Sequence, residues 1–234
     1  MSNAYFRFKQ FTVRHDGCAM KVGTDGALLG AWTNCSGAKT ILDVGTGSGL
    51  IALMLAQRSD ACIDAIDTDV NACRQAEINF KHSPFAARLR ALHQDFLQYG
   101  PEQTCDLIVS NPPYFMHSLP SPDRQRTLAR HAGALNGDGL LAKSYQLLSA
   151  TGRLSLILPA GHFDWVQDIA AQTGFYPVRK TEVSAIENRP PKRVLLEYAK
   201  SVEPLVENSL FIENADRTYS AEYLALMKAY YLKM

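Results

Sequence analysis

The residues best suited to chemistry in this chain are Asn111-Pro112-Pro113-Tyr114. The Asn111 side-chain carbonyl and the Pro112 backbone carbonyl are hydrogen-bond acceptors, and the Tyr114 ring offers a flat face to a planar group. The tetrapeptide follows Asp106-Leu107-Ile108-Val109-Ser110, a short apolar run that reads as a buried strand. Two prolines cannot extend a central strand, because they lack the N–H donors of its ladder. The chain therefore leaves the sheet at Asn111, on the carboxyl edge where open α/β sheets bind ligands. Asn-Pro is also a common turn pair, so the tetrapeptide alone leaves a plain polar turn open.

Upstream, Asp43-Val44-Gly45-Thr46-Gly47-Ser48-Gly49 lies between an apolar run and a Leu/Ile/Ala-rich segment. The glycines permit a tight turn and close approach of a ligand to bare backbone. A helix starting there aims free N–H groups and a positive dipole end at whatever is bound. The spacing excludes two common ligand classes. A dinucleotide fingerprint needs glycine at position 50, which is Leu, and no P-loop lysine follows. Two further acids fall at expected strand ends. Asp67, in Ile66-Asp67-Thr68-Asp69, can accept from both hydroxyls of a ribose. Asp95, in Gln94-Asp95-Phe96, ends the next strand, whereas Asp69 reads as the cap of the following helix.

The order Asp-x-Gly-x-Gly-x-Gly, Asp67, Asp95, Asn-Pro-Pro-Tyr resembles the amino-methyltransferase branch of the class I S-adenosylmethionine-dependent methyltransferases. The resemblance implies S-adenosylmethionine as cofactor. Asp43, Gly45, Thr46, Gly47 and Gly49 would meet its amino-acid part, Asp67 its ribose, and Asp95 and Phe96 its adenine, with Asn111 also at the cofactor. It further implies an exocyclic or amide nitrogen as methyl acceptor, with Asn111, Pro112 and Tyr114 as catalytic residues and Tyr114 and Phe115 stacking on the substrate. Such a nitrogen is a poor nucleophile because its lone pair is delocalised. Two acceptors that hold both N–H bonds favour the pyramidal geometry it needs, and alignment with the methyl group adds a proximity effect. A base within a helix is out of reach, so the substrate base must be flipped or unpaired.

The motif is shared by enzymes acting on adenine in DNA or RNA, on guanine amines in ribosomal RNA, and on release-factor glutamine. A more specific resemblance runs through Lys9 to Gly26, Asn111-Pro112-Pro113-Tyr114-Phe115, Asn188-Arg189-Pro190-Pro191-Lys192-Arg193 and Tyr230-Tyr231-Leu232-Lys233-Met234. It is to the bacterial tRNA(Val) adenine-N6 methyltransferase family, and it implies the adenosine 3′ of the anticodon (position 37) as target and the tRNA anticodon stem-loop as partner. Methylation of a release-factor glutamine or an rRNA base, and RNA binding without catalysis, stay open as alternatives.

The elements that must position these residues alternate as strand and helix. Strands are expected over 40–44, 62–66, 88–93, 105–110, 153–158, 176–186 and 193–200, and helices over 48–57, 70–81, 137–150, 163–173 and 219–232. The rhythm predicts an α/β, Rossmann-like class I methyltransferase fold. Its sheet is mostly parallel and seven-stranded, with one antiparallel edge strand and helices on both faces. Before it, residues 1–36 read as a hairpin and a helix packed on a methyltransferase domain of 37–234, the whole forming one structural domain. Asp16-Gly17 reads as the hairpin turn and Cys18–Val22 as the return strand, while Met1-Ser2-Asn3-Ala4 reads as a cloning remnant.

The 234 residues carry a net charge of +1 and 47% hydrophobic residues, enough for a sizeable core without staples. Five scattered cysteines (Cys18, Cys35, Cys62, Cys73, Cys105) show no metal-ligand spacing, so neither a metal nor a disulfide is expected. No apolar run reaches membrane-span length and no signal peptide opens the chain. The expectation is a cytoplasmic protein with no membrane partner, taken as a monomer although nothing in the sequence sets the oligomeric state. The near-neutral total hides local charge. Arg179, Lys180, Arg189, Lys192 and Arg193 outnumber Glu182 and Glu187, and Arg124, Arg126 and Arg130 outnumber Asp123. Of these, Arg189, Lys192 and Arg193 are the expected substrate-binding cations.

Overall fold

A computed structural model describes residues 4–15, 22–112 and 137–233. In chain order the elements are β1 (Tyr5–Arg7), β2 (Thr12–Arg14), α1 (Thr24–Trp32), β3 (Thr40–Val44), α2 (Leu50–Ala56), β4 (Cys62–Asp67), α3 (Val70–Lys81), β5 (Leu89–His93), β6 (Cys105–Ser110), α4 (Gly137–Leu147), β7 (Leu148–Pro159), α5 (Phe163–Thr173), β8 (Tyr176–Ile186), β9 (Arg193–Ala199), β10 (Val206–Glu213) and α6 (Ala221–Met227).

The period-two alternation of the central strands explains why helices lie on both faces. Ile41, Ile63, Ala65, Leu107 and Val109 enter one hydrophobic cluster with α1 and α2. Their neighbours Leu42, Val44, Ile66 and Ile108 enter another with Leu140, Leu141, Val166 and Ile169 from α4 and α5. Strands apolar on both faces can only be stable sandwiched between helices. The main sheet runs β10-β8-β9-β7-β6-β3-β4-β5. Only β9 is antiparallel to its neighbours. The chain moves outward in one direction from β3 to β5 and in the other from β6 to β7, so β3 and β6 flank the switch point.

The expected fold class stands, with three differences in detail. The main sheet has eight strands rather than seven, because β10 pairs in parallel with β8 along Val206 to Glu213. That segment is acidic, and of its residues only Leu210 is buried. An edge strand half open to water lacks the alternation that reveals inner strands. It follows that the antiparallel strand β9 lies inside the sheet, between β7 and β8, and not at the edge.

The third difference is at the N-terminus. β1 pairs with β2, and the turn is closed by Phe8 N–H donating to the Phe11 carbonyl at 2.8 Å. The break in the apolar alternation, three residues from Phe8 to Phe11, is the turn itself. Phe8 and Phe11 stack at 4.7 Å and sit in the same cluster as Leu28 and Leu53. The expected turn Asp16-Gly17 and most of the expected return strand, Cys18 to Lys21, lie outside the described residues. Ala4, set aside as a remnant, extends the ladder by accepting from His15 N–H at 3.0 Å.

The glycine loop depends on one tight contact. Gly49 has φ +81°, and a Cβ there would lie 2.5 Å from Phe80 Cε1 on α3. Gly49→Ala adds left-handed strain to a clash, so a stability loss of about 2 kcal/mol or more is expected. Urea unfolding should show a lower midpoint with an unchanged slope; an unshifted midpoint would disprove this packing role.

Candidate active site

The sheet order sets the expected residues out along one edge. Asn111 follows β6, the glycine loop follows β3, Asp67 ends β4, and Asp95 lies two residues beyond β5. In space these strands are adjacent as β6-β3-β4-β5. With neighbouring strands about 4.8 Å apart, Asn111 and Asp95 lie about 14 Å from each other along the carboxyl edge. That span matches a nucleoside carrying an amino-acid tail, with the tail at the switch point beside Asn111.

Asp43 is the chemical centre of the loop. It is fully buried, and its Oδ2 accepts from Thr46 Oγ1 at 2.7 Å and from Ala52 N–H at 3.2 Å. Its Oδ1 is buried with no hydrogen-bond partner. Desolvation pushes the carboxyl up to about 7, against the two hydrogen bonds that pull it down, and Asp67 adds a smaller upward push. A buried oxygen left without a donor marks a place for a cationic or N–H-bearing group.

The loop around it is shaped by Asp67. Its Oδ2 accepts from Gly47 N–H and its Oδ1 from Asp69 N–H, both at 2.9 Å. Gly45 and Thr46 N–H groups both donate to the Ile66 carbonyl, at 2.9 and 3.1 Å. The loop is thereby folded over the end of β4. Gly45 and Gly47 have φ of +73° and +55°, and a Cβ at either would meet nothing within 4 Å. Bare backbone thus faces open space, while each Asp67 oxygen keeps acceptor capacity beyond its one backbone donor. These features fit the expected cofactor: Asp43 Oδ1 for its ammonium, the glycine backbone for its amino-acid part, and Asp67 for its ribose.

Other expected contacts are placed differently. Thr46 is buried and its hydroxyl donates to Asp43, so it holds the carboxylate. Gly49 is packed under Phe80 and has a structural role. Asp95 is half-buried, and its Oδ1 accepts from Leu97 N–H at 2.9 Å as the cap of a short 3-10 helix. Phe96 is 3% exposed and packs with Leu42, Val44 and Ile66. The turn that Asp95 caps directs the ring into the core.

On the other side of the switch point, Ser110 is fully buried and donates to the Val44 carbonyl at 2.8 Å, tying the end of β6 to β3. Asn111 is half-buried and Pro112 buried. The Asn111 side chain makes no hydrogen bond among the described residues. Tyr114 and Phe115 lie outside the described residues, as do Arg124, Arg126 and Arg130. The first turn of α1 borders this end of the site. A Cβ at Gly26 would lie 3.2 Å from Leu50 Cδ2 and 4.0 Å from Asn111 Nδ2.

The basic loop between β8 and β9 reaches the same edge, since Arg193 pairs with Pro159 at the carboxyl end of β7. Arg189 and Lys192 are exposed and make no ion pair among the described residues. Arg193, the third expected substrate-binding cation, is engaged within the chain: its Nε donates to Asp25 Oδ2 at 2.7 Å. Arg179 and Lys180 are also engaged. Arg179 pairs with Glu197 and lies over the Trp32 ring, and Lys180 pairs with Glu182 and Glu207.

Two positions escaped the sequence reading. One is Asn79, 2% exposed on α3. Its Nδ2 donates to the Ser48 and Arg14 carbonyls, both at 2.8 Å, and its Oδ1 accepts from Arg14 N–H at 2.9 Å. It clamps the N-terminal hairpin to the glycine loop. The signal was present, since Asn79 falls on the helical stripe Ala72, Gln75, Ala76, where an amide needs buried partners. The other is the pairing of Asp25 with Arg193: Thr24-Asp25 read as a helix start or as neighbours of the cofactor, with no partner foreseen on β9. Among the described residues no group of three His, Cys, Asp or Glu side chains is placed to hold a metal ion, and no helix is long and apolar enough to cross a membrane.

Comparison with known proteins agrees with this geometry. Residues 27–160 match the family described as Methyltransferase small domain. A Parabacteroides distasonis protein named tRNA1(Val) (adenine(37)-N6)-methyltransferase is 49% identical over 237 residues, covering all of both chains. An Aeromonas hydrophila protein of the same name is 44% identical, covering 99% of each. In fold, the chain matches a predicted O-methyltransferase from Agrobacterium tumefaciens with a TM-score of 0.68 at 16% identity, over 88% of this chain and 96% of that one. It also matches the glycopeptide N-methyltransferase MtfA in complex with (S)-adenosyl-L-methionine, with a TM-score of 0.57 at 13% identity, over 78% and 90%. With a glycine loop and a strand-end asparagine side by side at the switch point, and relatives alike from end to end, the chain belongs to the tRNA1(Val) (adenine(37)-N6)-methyltransferase family of small-domain methyltransferases.

Proposed function

We propose that the protein methylates the exocyclic N6 of adenine 37 in a valine tRNA, with S-adenosylmethionine as cofactor, in the cytoplasm. The observation that carries the reading is the placement of Asn111, at the end of β6, across the switch point from the glycine loop that follows β3, the strand whose Asp43 keeps one buried oxygen without a partner.

When bound, S-adenosylmethionine would supply an electrophilic methyl group carried on a neutral thioether leaving group. The protein's part is orientation. The Asn111 side-chain carbonyl and the Pro112 carbonyl accept the two N6–H bonds and draw the amine toward a pyramidal form whose lone pair faces the methyl carbon. No strong base is required, because the nitrogen becomes acidic on alkylation and releases its proton afterwards, toward these acceptors and then water. Tyr114 and Phe115 are the proposed stacking rings for an unpaired base. Asp43 meets the ammonium of the cofactor, Gly45 and Gly47 its amino-acid backbone, Asp67 its ribose and Asp95 its adenine. Arg189 and Lys192 meet tRNA phosphates.

Three outcomes are expected. The wild-type chain, given labelled S-adenosylmethionine, should label tRNA and leave release factor unlabelled; label in protein alone would overturn the reading. Asn111→Ala should lower kcat about a hundredfold or more while the cofactor still binds within a few-fold. Replacing Arg189 and Lys192 by alanine should weaken tRNA binding and reduce the slope of log K against log salt by about 1–2, with cofactor affinity unchanged.

Asp43 makes the site sensitive to pH. Its carboxyl is raised to about 7 from 3.8, so the cofactor-free fold favours the protonated form. Its contribution to stability is complete below the unfolded value and is lost as pH rises toward 7. The ammonium needs the carboxylate, so binding must expel a proton below pH 7. Cofactor affinity should therefore rise about tenfold per pH unit between 5.5 and 6.5, with proton release seen by calorimetry in buffers of different ionisation enthalpy. Asp43→Asn should abolish both effects; an unchanged pH profile in that variant would remove Asp43 from the ammonium site.

A further inference from the structure

Arg193 is, by residue type and position, a candidate phosphate ligand, but its contacts give it a different part. Its Nε donates to Asp25 Oδ2 at 2.7 Å, and its Nη1 donates to the Lys192 carbonyl at 3.0 Å. The two side chains of the pair are only 27% and 29% exposed. A guanidinium held this way has fixed direction and reduced solvation, whereas a phosphate ligand of a mobile polyanion is normally open to water. One cation thus links the backbone of the basic loop to the first turn of α1.

That turn packs Gly26 and Ala27 into the core but has no side-chain cap. Its N-cap is Gly23, which has no side chain to cap the free N–H groups. The residue after Asp25 is Gly26, whose missing Cβ lets the turn approach Leu50 and the Asn111 amide. On the other side, Arg193 is fixed in the sheet by its register with Pro159 on β7 and Val183 on β8. The ion pair therefore runs from the rigid sheet to the wall behind Asn111.

We propose that Arg193 is a positioning residue for methyl transfer, acting through Asp25 to hold the first turn of α1 against the Asn111 amide. The same guanidinium keeps the loop bearing Arg189 and Lys192 in register with that amide, so tRNA phosphates and the target amine are located by one frame. The coupling to tRNA rests on the function proposed above; the tether itself does not.

The test uses Arg193→Ala, Arg193→Lys, Asp25→Asn and the double variant Asp25→Asn/Arg193→Ala. Transfer to tRNA should fall in kcat by about tenfold to a hundredfold in each alanine or asparagine variant, as expected for a sub-ångström to 1 Å misplacement. The salt slope of tRNA binding should stay at the wild-type value. The double variant should lose no more than the worse single one, and Arg193→Lys should recover part of the loss. A slope smaller by about 0.7–0.9 in Arg193→Ala with kcat retained would make Arg193 a phosphate ligand and overturn the proposal. Additive losses, or a lowered Tm with full kcat per folded molecule, would also overturn it. Should Arg193→Ala fail to fold, Asp25→Asn and Arg193→Lys carry the same contrasts. Hydrogen exchange of the amides from Gly26 to Leu29 reads the tether without any substrate: faster exchange is expected in Arg193→Ala and Asp25→Asn, and unchanged exchange sinks it. Lack of tRNA labelling by the wild-type chain would strike the proposed substrate and leave the exchange result to decide the tether.

Discussion

The site is built around a buried carboxylate that the protein does not fully satisfy. Asp43 lies in the central strand with one oxygen bonded to Thr46 and Ala52 and the other bonded to nothing. Leaving a buried acceptor without a donor costs about 1–3 kcal/mol. The large apolar clusters on both faces of the sheet supply the stability that offsets it. The two bonds that are made fix the geometry of everything after it. Thr46 shapes the glycine loop, and Ala52 N–H locks the first turn of α2 onto the strand. A neutral, hydrogen-bonded substitute at position 43 would make a quieter core and a poorer receptor for a cation.

Around that centre, each neighbouring strand contributes one polar terminus. Asp67 uses both oxygens to fold backbone N–H groups over the end of β4, so the loop and the acid define each other's positions. Ser110 ties β6 to β3, so Asn111 cannot drift from the loop. The crevice between them exists because the chain runs outward in opposite directions from β3 and β6. The ligand edge is held by short bonds within and between rigid strands, which is the preorganisation that amine alkylation needs.

The segments outside the core are attached at the same edge. Asn79 fastens the N-terminal hairpin to the Ser48 carbonyl, and Arg193 fastens α1 to β9. The hairpin is also buttressed by the C-terminal segment: Phe8 stacks on Tyr231 at 5.7 Å, Lys9 N–H donates to the Tyr230 carbonyl at 2.8 Å, and the Tyr230 hydroxyl donates to the Met54 carbonyl on α2 at 3.1 Å. The two ends of the chain thus meet behind α2. Features that distinguish this chain from a bare methyltransferase core are clamped to the loop and amide that do the chemistry, rather than appended at a distance.

The chain's own letters determined the class of site. Alternation of apolar residues on the inner strands, glycines at three alternate positions, acids at strand ends and a proline pair after Asn111 each follow from local rules, and together they located the crevice. Those same rules misread positions where partners are remote. β10 was missed because an edge strand buries a single residue and shows no alternation. The turn at residues 8–11 was missed because it interrupts an apolar run without a favoured turn pair, and it is the aromatic packing of Phe8, Phe11 and Tyr231 that accompanies it. Phe96 read as a ligand platform by its place after Asp95; its burial against Leu42, Val44 and Ile66 shows that the direction of a ring depends on which core lies beneath it. The five basic residues from Arg179 to Arg193 looked alike in sequence. Only the tertiary structure sorted them, since an ion pair such as Asp25–Arg193 joins residues 168 positions apart, and no local pattern encodes which charges will meet.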